Sequence, residues 1–106
     1  MGLTVRWTRF AEKKLEDIYQ YYRLKASPNV AKKLASKIVQ SSLKLRDHPN
    51  VGTIEPLLAD RPQSFRYIIH NYYKIIYWVN ESDNFIEIVN VFDCRRNPDM
   101  IQKELS

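Results

Sequence analysis

The stretch from Phe65 to Arg96 constrains this chain more than any other: three runs rich in Ile, Val, Tyr, Phe and Trp are separated by two polar breaks, His70-Asn71 and Asn80 to Asn84. Short β-branched and aromatic runs broken in this way read as strand, hairpin, strand, hairpin, strand. In the middle run Tyr73, Ile75, Tyr77 and Val79 fall on one face, and Tyr72, Lys74, Ile76 and Trp78 on the other, because side chains alternate along a strand. Both faces carry large apolar groups, which predicts that this strand lies mid-sheet. If the runs pair as an antiparallel meander, the basic residues Arg66, Lys74, Arg95 and Arg96 are expected to converge on one region of the sheet.

Upstream, the apolar period changes from two to 3.6. Leu3 to Trp7 reads as a first strand, and Thr8 as the N-cap of a helix over about residues 8 to 25 with a stripe at Leu15, Ile18, Tyr19 and Tyr22. Acidic Glu12, Glu16 and Asp17 precede basic Arg23 and Lys25, which suits the helix dipole. Ser27-Pro28 then starts a second helix lined by Ala31, Leu34, Ala35, Ile38, Ser42 and Leu45. So short a connection predicts an antiparallel helical hairpin packed across the sheet. Pro49, Gly52, Pro56 and Pro62 mark a loop, and Asn97-Pro98-Asp99 turns into a short helix from Met100 to Leu105. The expected fold is α+β, in the order β-α-α-β-β-β with a small, mostly antiparallel sheet, forming one domain over residues 1–106.

A chain of this length buries roughly two thirds of its unfolded surface and needs no staple to fold. The lone Cys94 cannot form an internal disulfide, which points to a reducing compartment. No apolar run is long enough to span a membrane, and Met1 to Arg6 lacks the apolar core of a signal peptide. A cytoplasmic location is therefore expected. The net charge of +5 and pI near 9.4 suit polyanions or an acidic protein partner. Residues 1 to 64 hold 12 Lys and Arg against 6 Asp and Glu, whereas residues 65 to 106 hold 5 against 6. The excess thus lies in the helical half, where solvated faces account for most of it; a plain nucleic-acid module would use Lys32, Lys33, Lys37 and Lys44.

The chemistry open to these residues is narrow. His48, His70 and Cys94 lie in different segments without metal-ligand spacing, so no metal is expected, and two glycines do not build a phosphate loop or imply a cofactor. A Cys94 nucleophile with His70 as base is conceivable, but Cys94 sits in a β run and reads as a buried structural thiol. Arg66, Lys74, Arg95 and Arg96 remain as phosphate-binding candidates, with Tyr72, Tyr73 or Trp78 either stacking a base or packing on the helices. Arg95 and Arg96, being adjacent, point to opposite faces if still in the strand, and one is then expected to pair with Asp93, Asp99 or a neighbouring carboxylate.

Val5-Arg6-Trp7-Thr8, Phe10-Ala11, Leu15 to Ile18, Pro49, Gly52, Arg66, Tyr73 to Tyr77 and Val89 to Pro98 follow in an order and spacing that resembles the RelE/ParE superfamily of bacterial toxin-antitoxin toxins. The resemblance covers nearly the whole chain and implies the same helical hairpin on a small sheet. RelE-like members cut messenger RNA in the ribosomal A site without a metal, using basic residues and an acid-base group. By position, Arg66, Lys74 and one of Arg95 or Arg96 would stabilise the phosphorane. Asn97 to Ser106 contains no Tyr or His for the C-terminal acid-base role, which leaves His70 as the substitute. ParE-like members lack that set and poison DNA gyrase by a protein contact. The placement of Tyr73 to Tyr77 and of Arg95-Arg96-Asn97-Pro98 is closer to this branch. The resemblance thus implies a plasmid-stabilising toxin that inhibits gyrase, with ribosome-dependent RNA cleavage as the alternative. It also implies a cognate antitoxin, in a hetero-oligomer, with Arg66, Lys74, Arg95 and Arg96 as antitoxin- or target-binding residues.

Overall fold

The computed structural model describes residues 2–105; Met1 and Ser106, the ends of the span read as one domain, lie outside the described residues. In chain order the elements are β1 (Thr4–Trp7), α1 (Arg9–Lys25), α2 (Pro28–Leu43), β2 (Thr53–Ile54), β3 (Arg66–His70), β4 (Tyr73–Asn80), β5 (Phe85–Asp93) and α3 (Met100–Glu104). Local chemistry sets the helix starts. The Thr8 hydroxyl accepts the Ala11 amide at 3.0 Å, the Ser27 hydroxyl accepts the Val30 amide at 3.1 Å, and Pro28 occupies the first turn of α2. Asn71 and Asn84, at φ of 53° and 59°, make the left-handed turns of the two hairpins, a conformation that asparagine tolerates better than most residues.

The sheet runs β1-β5-β4-β3-β2, so β4 is central as its two apolar faces predict. β1 pairs parallel with β5, and the other pairings are antiparallel. One face packs on the helices: Ala11, Ile18, Ile38 and Leu45 meet Tyr73, Ile75, Tyr77, Ile86, Ile88 and Val91. The second face is also covered, by Leu58, Phe65 and Ile101 against Ile76, Val89 and Phe92. Its cover is α3 and a 3₁₀ turn at Pro56–Leu58.

Three details differ from the sequence expectation. The segment after α2, read as a loop, contains β2 and the 3₁₀ turn, so the sheet has five strands rather than four. A two-residue strand is too short to leave a periodic pattern; it is defined by pairing, Thr53 with Tyr67 and Ile54 with Arg66. β5 carries a bulge, since Ile76 pairs with Asn90 but Tyr77 pairs with Ile88. The extra residue, Val89, resets the alternation, so Val89 and Asn90 both lie on the face away from the helical hairpin. Finally, Cys94 lies just beyond β5 and is exposed, so it is not the buried strand thiol expected. Among the described residues no helix is long and apolar enough to cross a membrane.

Candidate functional site

The four basic residues singled out from the sequence do not converge on one point: Arg95 and Arg96 line one cleft, Arg66 and Lys74 lie elsewhere, and each of the four is held by a different group. Arg66 opens β3 opposite Tyr77 and so shares the helix-facing side. Its guanidinium donates to the carbonyls of Gly52 at 2.8 Å and Asn50 at 3.3 Å. The Tyr77 hydroxyl donates to the Pro49 carbonyl at 2.7 Å and accepts the Gly52 amide at 3.0 Å, so Arg66 and Tyr77 together pin the loop after α2. Lys74 projects from the opposite face. Its ammonium lies 2.9 Å from Oε2 of Glu55 and 4.2 Å from the centre of the Tyr67 ring. Glu55 is a fully buried carboxylate, and its Oε1 accepts the Leu57 amide at 3.1 Å.

Arg95 and Arg96 have left the strand, so the opposite-face argument does not apply to them, and both find a carboxylate. Arg95 donates to both oxygens of Asp93, at 2.9 and 2.8 Å, and stacks on Tyr72 at 4.7 Å. That hydrogen bonding outweighs burial and holds the Asp93 carboxyl below the usual carboxylate range. Arg96 lies 2.7 Å from Oε2 of Glu104. Strand alternation explains the dispersal: Arg66 and Lys74 are on opposite faces, and the turn after β5 carries the two later arginines elsewhere.

His70 pairs with Tyr73 and so faces the helices, with its Nε2 buried and unpartnered among the described residues. It is therefore on the opposite face from Lys74, where it was expected to stand in as acid or base. Although Cys94 is exposed as a residue, partial desolvation of its thiol by neighbouring atoms pushes the pKa up, and a protonated thiol is a poor nucleophile. Burial first, and then a hydrogen bond with Tyr22, raise the Tyr73 phenol, which stays protonated at neutral pH.

What the fold does bring together is a cleft of about 320 Å³ between α1 and the end of β5, lined by Lys14, Asp17, Tyr21, Tyr73, Arg95 and Arg96 among others. Lys14 was not singled out from the sequence. It sits among other helical lysines, and its partner, Glu104, is 90 residues away. Glu104 is the hub of this end of the molecule, accepting from Lys14 at 2.9 Å, Asn90 at 3.0 Å and Arg96 at 2.7 Å. Burial alone would raise its pKa; the hydrogen bonds overcome that and hold it down to about 2.

A carboxyl depressed on folding contributes stability that is present above its unfolded pKa and is lost as pH falls through the folded value. Thermal unfolding followed by circular dichroism is therefore expected to show stability falling from about pH 4.5 towards about pH 2. Glu104→Gln should flatten part of that decline, with Asp93, also depressed, contributing to the remainder. An unchanged slope in the variant would remove Glu104 from the account.

The family model described as the ParE toxin of the type II toxin-antitoxin system, parDE, matches residues 5–98. The chain belongs to the ParE toxin family. The fold of this ParE-family chain is also that of a structure titled as the chromosomal ParDE system from P. aeruginosa. That structure is 23% identical, with a TM-score of 0.70, covering 87% of this chain and 96% of that one. A second likeness is to the toxin-antitoxin complex RelBE2 from Mycobacterium tuberculosis, 18% identical, with a TM-score of 0.62, covering 88% of this chain and 99% of that one. No curated protein sequence matches. The family spans the helical hairpin and the strands β3 to β5, so the cleft and the dispersed basic residues belong to a ParE-family toxin.

Proposed function

We propose that this ParE-family toxin inhibits DNA gyrase by a protein contact in the cytoplasm, and that a cognate antitoxin neutralises it by binding as a hetero-oligomer. One observation carries the choice over RNA cleavage. Stabilising a phosphorane needs preorganised cations aimed at one point, whereas Arg66, Lys74, Arg95 and Arg96 are spread over both faces and each is held by internal carbonyls or a carboxylate. A protein contact needs no such convergence. Both structures named above are of toxin-antitoxin systems, which supports an antitoxin partner here. The net charge of +5 favours an acidic neutralising segment and its rapid docking.

In this reading Arg95 and Arg96, which share the cleft, make the partner contact, while Arg66 holds the Pro49 to Gly52 turn and Lys74 holds Glu55 on the opposite face. The test is purified wild-type protein in two assays, gyrase supercoiling and cleavage of messenger RNA on programmed ribosomes. Inhibited supercoiling with intact messenger RNA is the expected result. Cleavage in the ribosomal A site would overturn the proposal, and salt-dependent binding to arbitrary RNA without either effect would favour a plain nucleic-acid module.

A further inference from the structure

We propose that Lys14, Asn90 and Arg96 form a carboxylate-binding site which Glu104 of the chain's own C-terminal helix fills, and in which an acidic side chain of a partner protein takes Glu104's place. The inference rests on the antitoxin reading only for the identity of that partner.

Three donors from three separate segments meet on one carboxylate: the ammonium of α1, a side-chain amide from β5 and a guanidinium from the turn beyond it. Charge-assisted bonds of this kind are roughly twice as strong as neutral ones. Lys14 and Arg96 are backed by rings, Lys14 5.7 Å from the centre of Phe92 and Arg96 5.1 Å from it, which holds both in place without the carboxylate. Asn90 is 3% exposed, and its Oδ1 has no partner among the described residues. A buried acceptor left unpaired is costly, and a carboxylate cannot supply it with a proton. A peptide that brings both an acidic side chain and a backbone N–H can satisfy it.

The present occupant sits on a short element. α3 has five residues, too few to be helical without packing. Besides Glu104, Ile101 anchors it, Met100 and Leu105 pack on the same apolar cluster, and Arg61 donates to the carbonyls of Leu105 and Gln102. The way in is built as well: Lys14 and Arg96 touch Glu104 on one side and line the cleft with Arg95 on the other. The cleft also carries Asp17 and Asp93, which are paired with Lys13 and Arg95, so the cations that an entering carboxylate meets there are Lys14 and Arg96.

The test uses the full chain and a ten-residue peptide of alternating Glu and Ala, with the Gln-Ala peptide as control, read by fluorescence anisotropy. Glu104→Ala is expected to bind the Glu peptide about tenfold more tightly than wild type, the scale of one charge-assisted contact. The Gln peptide should bind neither protein, and Lys14→Ala added to Glu104→Ala should abolish the gain. Equal binding by wild type and Glu104→Ala, equal binding of the two peptides, or a preference for inorganic phosphate over the peptide would overturn the proposal. Should Glu104→Ala not fold, hydrogen exchange on wild type decides. The Glu peptide, and not the Gln peptide, should speed exchange at residues 100 to 105, and no difference between them overturns the site. The peptide assay involves neither gyrase nor antitoxin, so its failure leaves the toxin reading intact, and a failed gyrase assay leaves the site intact.

Discussion

Replacing Lys74 by Met is expected to cost about 3 kcal/mol of stability, because it strands a buried carboxylate. Glu55 has no exposed side-chain surface and Lys74 keeps 20% of its own, so the partner is the group that suffers when the pair is broken. Removing an exposed lysine normally changes stability by less than about 0.5 kcal/mol, which sets the two accounts well apart. Glu55→Gln in the Lys74→Met background should recover most of the loss, since the amide oxygen can still accept the Leu57 amide while the charge is gone. Urea denaturation of the four proteins in the cycle measures this directly. A cost below about 1 kcal/mol for Lys74→Met would refute the buried-pair account. The result bears on function too. A loss of toxicity on changing Lys74 is to be read against the folded fraction before any contact with a target is assigned to it.

Gly52→Ala is expected to destabilise the protein by about 2 to 3 kcal/mol, through overpacking rather than backbone strain. No glycine has a positive φ; what requires glycine here is close approach. A Cβ at position 52 would lie 2.6 Å from the Tyr77 hydroxyl, 2.8 Å from the Tyr67 carbonyl and 2.9 Å from the Tyr77 ring. None of these yields easily. Tyr77 is fully buried and bonded at both ends of the Pro49 to Gly52 turn, and the Tyr67 carbonyl belongs to β3. Tyr77→Phe alone should cost about 2 kcal/mol, because it leaves the buried Gly52 amide and the part-buried Pro49 carbonyl without their partner. The double variant should lose less than the sum, since removing the hydroxyl also removes the nearest clash. Thermal unfolding of the three variants checks both points. A Gly52→Ala protein as stable as wild type would mean that the turn relaxes away from Tyr77.

Much of the architecture was legible in the sequence because local rules write it there. The alternation in Tyr73 to Val79 marked a central strand, the Thr8 and Ser27-Pro28 signals marked the helix starts, and the polar breaks marked both hairpins. Each signal depends on residues within a turn or a strand of one another, so it survives without knowledge of the rest of the fold. The five-strand sheet and the bulge at Val89 were not legible, because β2 and the bulge exist only as pairings between distant segments. The same holds for the site. Residue type identified Arg66, Lys74, Arg95 and Arg96 as candidates, but their partners were decided by register and packing: Glu55 lies 19 residues from Lys74 and Glu104 lies 90 from Lys14. Apolar periodicity reports which face a side chain is on, whereas the neutralisation of a long polar side chain depends on what another segment brings within about 3 Å of it. By itself the sequence determined the helical hairpin on a sheet and the family resemblance; the tertiary structure decided that Arg66, Lys74, Arg95 and Arg96 each find a different partner, and that Lys14 and Asn90 join Arg96 on one carboxylate.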